Sequence, residues 1–165
     1  MKRFSTLTLA VVALFAVGTA TGIAYAASSG ITSTTSDALI RTTSNTNLNA
    51  TPSVQTTIEA LTLPAGKWVV HADNTMVNFG AADIARCTLF SGATLLDAHA
   101  SDVGSSTGVS EVATASETGS VILTANTKVS VQCEHDTSNG SSTYVDADAV
   151  LWAHRATSIV QLTTP

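Results

Sequence analysis

The residues best suited to chemistry are two cysteines and the charged side chains beside one of them. Cys133 lies in the stretch "KVSVQCEHD" and is followed by Glu134, His135 and Asp136, whereas Cys87 lies earlier in the chain. A cysteine beside a histidine can act as a nucleophile, and thiolates, imidazoles and carboxylates bind metals. Two cysteines can instead form a disulfide. The compartment and the direction of each side chain distinguish these roles.

The N-terminus indicates the compartment. Lys2 and Arg3 precede a largely apolar run from Leu7 to Val17, and "AYA" at residues 24–26 is typical of a cleavage site. We therefore expect residues 1–26 to be a signal peptide and the protein to be secreted into the extracellular space. No later apolar stretch reaches about 18 residues, the minimum for a spanning helix, so we expect no membrane span.

Both cysteines lie in alternating segments typical of β-strands. Cys133 shares a strand face with Val129 and Val131, and in "IARCTLF" Cys87 shares a face with Leu89. Two inward-facing cysteines on separate strands of an exported protein predict one Cys87–Cys133 disulfide. An oxidised cysteine cannot attack a substrate, so the disulfide is favoured over a catalytic thiol.

Two further pairs could contribute metal ligands. Asp146 and Asp148 are two residues apart in a predicted strand, as are His71 and Asp73, so each pair shares a strand face. A metal site needs more ligands from elsewhere, and neither pair has the spacing of a zinc motif. We expect both pairs to belong to solvated strand faces, and we expect no cofactor.

Charge and motifs exclude several functions. The chain has seven Lys and Arg against twelve Asp and Glu; loss of Lys2 and Arg3 with the signal peptide leaves five against twelve, a net charge of −7. Nucleic acids and anionic membranes favour dense basic residues, so we expect no nucleic-acid partner. The sequence contains neither GxSxG nor a glycine-rich phosphate loop, and we expect the protein not to be an enzyme.

The elements that hold these residues are short strands. Residues 27–53 are rich in Ser, Thr and Asn and are interpreted as a flexible arm, with "DALI" at residues 37–40 as a possible short strand. Over residues 54–165, β-branched runs alternate with turn residues, which predicts an all-β domain, an antiparallel β-sandwich of jelly-roll type. The predicted strands are Val54–Leu61, Lys67–Phe79, Ile84–Phe90, Thr94–Ala98, Val109–Ala115, Ser120–Thr124, Lys128–His135, Tyr144–His154 and Ser158–Leu162.

The last long strand suggests an interface. From Val145 to Ala153 every second residue is apolar and is assigned to the core, whereas the opposite face becomes apolar at Val150 and Trp152. Apolar residues on the outward side need a second covering surface. We therefore predict that Val150 and Trp152 form the interface if the protein assembles.

Three segments resemble strands of C1q/TNF-like jelly-roll domains. The segment "LTLPAGKWVVHADNTMVNF" is similar to a strand pair with a PxxG turn, "LTANTKVSVQCEHD" to a later strand, and "VDADAVLWAHRA" to the final core strand. Similar arrangements occur in small exported proteins of bacteria. The resemblance covers about residues 54–156 and implies a jelly roll that forms trimers and works by binding, without catalysis.

Three functions follow from these patterns. The first is a secreted, non-catalytic binding or interaction module whose partner is a second copy, in a trimer or higher assembly, or an extracellular protein or glycan. The second is a structural subunit of an extracellular assembly, such as a fibre or surface layer, in which the arm pairs with a neighbour's sheet edge through "DALIRTT". The third is an enzyme with an unrecognised site.

Overall fold

The computed structural model describes residues 36–105, 111–137 and 142–160, so the predicted signal peptide lies outside the described residues. Within those ranges the chain forms strands and no helix, and hence no helix able to cross a membrane. The strands are β1 (Asp37–Arg41), β2 (Thr46–Asn47), β3 (Thr56–Leu63), β4 (Gly66–Asn78), β5 (Asp83–Ser91), β6 (Thr94–Val103), β7 (Glu111–Leu123), β8 (Thr127–His135), β9 (Tyr144–Val145) and β10 (Val150–Arg155).

The strands form two antiparallel sheets that pack face to face. In the first, sheet A, β4 is central: β7 pairs along one edge, while β9 and β10 pair in succession along the other and are flanked by β2 and β1. The second, sheet B, has the order β3-β8-β5-β6. Two antiparallel layers of this kind make a jelly-roll sandwich, which confirms the predicted fold class.

The core lies between the two sheets and follows the alternation of each strand. In β4, Trp68, Val70 and Ala72 are fully buried, and they face buried residues of sheet B such as Val129 and Val131. The indole Nε1 of Trp68 donates a 2.9 Å hydrogen bond to the carbonyl of Pro64, so its polar group is satisfied inside the core.

The predicted disulfide is confirmed. Cys87 and Cys133 lie directly opposite each other in the pairing of β5 with β8, and their sulfur atoms are 2.04 Å apart. Both residues are fully buried, so neither offers a free thiolate. The bond joins residues 46 positions apart, which corresponds to about 4 kcal/mol of stabilisation in the chain-entropy model.

The sandwich begins earlier than the sequence suggested. The "DALI" cluster does form a strand, but β1 pairs in register with β10 of the same chain, with Leu39 opposite Trp152. Residues 46–47 add β2 to the same sheet. Part of the segment assigned to the arm, from residue 37 onward, therefore belongs to sheet A.

The prediction of one long strand from Tyr144 to His154 is wrong. The chain leaves the sheet after β9 and returns at β10, so Asp146 and Asp148 lie in a connection and do not share a strand face. The Oδ1 atoms of Asp146 and Asn45 both accept from the amide of Ala147, at 2.9 Å, and Asp148 has φ +69°. Aspartate favours such local turns, which here outweigh the strand pattern.

Two other strand predictions change. The segments predicted as separate strands at Val109–Ala115 and Ser120–Thr124 belong to one 13-residue strand, β7, which passes through the expected turn at Glu117–Gly119; residues 109 and 110 lie outside the described residues. No strand forms at 158–160, and residues 161 and 162 are also outside the described part of the chain.

Candidate functional site

The outer face of sheet A is the side of that sheet turned away from the core. Its centre is a row of four cross-strand neighbours, one each from β1, β10, β4 and β7: Leu39, Trp152, His71 and Thr118. Leu39 is 59% exposed although it is a large apolar residue, and the half-buried Trp152 stacks on His154 with 5.8 Å between ring centroids. An apolar surface therefore adjoins polar side chains in the same row.

A chain of hydrogen bonds runs through the polar part of this face. His71 Nε2 donates to Asp73 Oδ2 at 2.8 Å, and Nδ1 lies 2.9 Å from the hydroxyl of Thr118. The hydroxyl of Ser116 donates to the other oxygen of Asp73. The hydrogen bond from Ser116 is the main cause that lowers the pKa of Asp73, and His71 adds to it. Asp73 is thus held ionised in a network that spans β4 and β7.

The order Thr118–His71–Asp73 is that of a nucleophile, a base and an orienting acid. Thr118 is exposed, however, and the three side chains stand on the outer surface of a sheet, where water surrounds a bound substrate. Both ring nitrogens of His71 already have partners. The arrangement therefore favours a fixed surface over chemistry.

The metal candidates are separated by the fold. His71 and Asp73 bond to one another on sheet A, whereas Asp148 is exposed in the β9–β10 connection, 3.7 Å from Arg41. Among residues 36–105, 111–137 and 142–160, no three His, Cys, Asp or Glu side chains meet in a geometry that would hold a metal.

A second apolar patch lies at one end of the same face. Val77 pairs with Val112 on one side and with Tyr144 on the other, and the ring of Tyr144 lies 6.1 Å from that of Phe79. Phe79 and Val112 are each 62% exposed. The outer face of sheet A thus has two apolar patches, one beside the polar network at Leu39 and Trp152 and one further along β4. The polar network is called the hydrogen-bonded belt; it consists of His71, Asp73, Ser116 and Thr118.

The charged residues after Cys133 have structural partners elsewhere. His135 is buried, with Nε2 donating to the carbonyl of Asn49 at 2.7 Å and Nδ1 lying 2.6 Å from the carbonyl of Thr137 and 3.1 Å from Asp83. His135 therefore ties the N-terminal segment to β5 and β8 and does not activate a thiol.

The sequence pattern singles out Trp152 and Val150 as candidates, which stays a prediction, but it does not indicate their neighbours on this face. Leu39 was assigned to a flexible arm, and Ser116 and Thr118 were assigned to a strand end and a turn. The alternation of "DALI" was the available signal for Leu39. The pairing of β7 with β4, which brings Thr118 to His71, is long-range and has no local signature.

No family model matches the chain, and no curated protein matches it. Among solved structures, a protein of the infectious bursal disease virus particle is similar, with a TM-score of 0.50 and 6% identity over 73% of this chain, and the chain spans about a third (32%) of that protein. Eiger TNF from S. frugiperda is similar with a TM-score of 0.46 and 9% identity, over 76% of this chain and 99% of that one. At 6% identity, the likeness to the virus-particle protein shows a shared fold alone.

Proposed function

We propose that the protein is a secreted, non-catalytic interaction module that self-associates through the outer face of sheet A. The observation that supports this proposal most directly is the pairing of Leu39, 59% exposed, with Trp152 on a strand whose other face is already committed to the core. Adjacent large apolar side chains on a surface favour a covering partner.

The size of the face suits a stable contact. Strand β4 has 13 residues and is about 43 Å long, and four strand positions span about 19 Å, so the face offers on the order of 800 Å². A standard protein interface buries about 800 Å² on each partner. A second copy of the chain can therefore be accommodated without any rearrangement of the sheet.

The hydrogen-bonded belt can fix the alignment of two copies of the chain. Asp73, Ser116, His71 and Thr118 are mutually paired, so covering them leaves few polar groups without partners. Aromatic residues at the centre of such a surface are typical interface anchors. The apolar patches supply affinity and the belt restricts how two copies align.

Export is supported by the disulfide. Disulfides persist in oxidising compartments and are rare where thiols are kept reduced. Together with the signal-peptide pattern of residues 1–26, the Cys87–Cys133 bond fits an extracellular protein. The second candidate is a structural subunit of an extracellular assembly. Its subunits would be joined through the outer face of sheet A and not by pairing of β1 with a neighbour's sheet.

The size of the protein in solution tests the proposal. We expect sedimentation or light scattering to show an oligomer at micromolar concentration, and Leu39→Asp or Trp152→Ser to reduce its mass while circular dichroism still reports β-structure. A charge or a polar residue at the centre of an interface leaves a desolvated group without a partner, which weakens association at least about tenfold.

Leu95→Asp is the matched control. Leu95 is also 59% exposed, but it lies on sheet B, so this variant should keep the mass of the unmodified protein. A monomeric unmodified protein, or equal losses from Leu39→Asp and Leu95→Asp, would contradict the proposal.

A further inference from the structure

The outer face of sheet B contains a shallow groove that self-association on sheet A leaves open. It runs along β5, with β8 and the segment before β3 on one side and β6 on the other. The lining residues that matter here are Arg86, Thr88, Phe90, Leu95, Glu134 and Asp136. From Arg86 to Phe90 the floor extends about 13 Å along the strand.

One end of the groove is a cluster of paired charges. Arg86 donates from Nη2 to Asp136 Oδ2 at 3.0 Å, and its Nε lies 3.9 Å from Glu134 Oε1. The pairing holds the guanidinium and both carboxylates in place while leaving them partly accessible, with 41% of the Arg86 side chain and 29% of the Asp136 side chain exposed. Fixed donors and acceptors therefore lie side by side.

The middle of the floor is Thr88, which is only 4% exposed although its side chain points out of the sandwich toward the groove. No group in the described residues forms a hydrogen bond to its hydroxyl. Its oxygen is not among the buried side-chain atoms that lack a partner, so it can be reached from the groove. A hydroxyl without a partner on the floor of a groove is positioned to bond a ligand.

The other end of the groove is apolar. Phe90 and Leu95 are cross-strand neighbours in the pairing of β5 with β6, and Leu95 is 59% exposed. Together they offer a flat surface of ring and alkyl carbons. The groove therefore combines an apolar wall, an unpaired hydroxyl and alternating donors and acceptors within one strand length.

We propose that this groove binds a neutral oligosaccharide. A sugar hydroxyl can both donate and accept hydrogen bonds, so it can pair with the donor Arg86, the acceptor Asp136 and the hydroxyl of Thr88. The C–H face of a sugar ring packs against flat apolar side chains such as Phe90. The floor of about 13 Å is long enough for more than one ring.

Other ligand classes fit less well. An extended peptide binds by adding a strand to a free sheet edge, but β5 and β8 are each paired on both sides. Two carboxylates against one guanidinium disfavour acidic sugars and phosphates. A cation is disfavoured for a different reason, because Arg86 already pairs with both Glu134 and Asp136.

Titration of the isotope-labelled full-length protein with neutral tetrasaccharides tests the proposal. The probes are the tetrasaccharides of glucose, mannose, galactose and N-acetylglucosamine, each at up to about 1 mM. Changes in amide chemical shifts report binding. We expect at least one to bind with shifts centred on β5 and β8. Thr88→Val, which keeps the shape and removes the hydroxyl, should weaken binding at least about fivefold.

Thr62→Val is the matched control, because Thr62 lies on the same face of sheet B outside the groove and should bind like the unmodified protein. Arg86→Gln provides a second variant at a more exposed position and should also weaken binding. Absence of binding by all four sugars, shifts centred on sheet A, or equal affinities of Thr88→Val and Thr62→Val would overturn the proposal. Retained sugar binding by Trp152→Ser would separate this site from the association face.

Discussion

Two glutamates are buried between the sheets without adequate partners. Glu59 is 1% exposed, and neither of its carboxylate oxygens has a partner at normal hydrogen-bond geometry among the described residues. Burial raises its pKa to about 8, and the nearby Thr42 amide and Arg41 charge offset this effect only in part. Glu117 is fully buried, with one oxygen accepting from Asn74 at 3.0 Å, and burial raises its pKa to about 7. Both side chains therefore tend to hold a proton in the folded protein.

Glu59→Gln should change how stability depends on pH. A folded pKa of about 8, above the ordinary value of 4.5, means that Glu59 is compatible with folding at low pH and opposes it increasingly as the pH rises from about 4.5 to 8. One titrating group can change the free energy of unfolding by at most about 1.4 kcal/mol per pH unit. We expect urea denaturation to show a more stable variant at pH 8, with little difference at pH 4.

The same substitution at the exposed Glu111 is the control for this pH series. It should leave both the stability and its pH dependence close to those of the unmodified protein, because an exposed carboxyl is solvated in both states. If Glu59→Gln and the unmodified protein lost stability in parallel between pH 4 and 8, the carboxyl of Glu59 would be solvated or paired in solution.

At the scale of elements, local pattern predicted strands well where they lie inside the sheets. Alternation around Cys87 and Cys133 placed both side chains inward, and the structure confirms their disulfide. Predictions failed where tertiary contacts override local residue types. The residues Glu117 and Gly119 are typical of a turn, yet both lie within β7 because β7 pairs along the whole length of β4.

Gly119 has a packing role in that strand. Strands β6 and β7 belong to different sheets but pack against one another, and a Cβ added at Gly119 would lie 2.8 Å from the Cβ of Leu96. Glycine is therefore needed at this position for close approach of the two strands. This requirement arises only in the folded sandwich and could not be predicted from spacing.

Gly119→Val should separate β6 from β7 and lower the free energy of unfolding by about 1–3 kcal/mol, as overpacking of a core does. The midpoint of urea denaturation measures this loss. Ser120→Val is the matched control, because the neighbouring side chain points to the outer face of sheet A. Equal midpoints for the two variants would show that Leu96 moves aside without cost.

At the scale of the whole molecule, the sandwich has two outer faces with different chemistry. Sheet A has apolar patches around Leu39 and Phe79, which suit a second protein surface, whereas sheet B has a groove around Arg86 and Thr88. Because the core separates the faces, a module of this kind can self-associate through one and hold a ligand on the other. Clustering of weak sugar sites in an oligomer would raise their combined affinity.

The N-terminal segment decides between two modes of assembly, and the structure shows where it must be cut. Removal of residues 27–53 would delete β1 and with it Leu39, so loss of the oligomer would be expected under either mode. A deletion ending at residue 35 keeps β1 paired with β10. We expect protein that begins at Ser36 to retain the mass and stability of protein that begins at Ala27, because the contact on sheet A is intact. Collapse to a monomer on light scattering would show instead that residues 27–35 join neighbouring subunits.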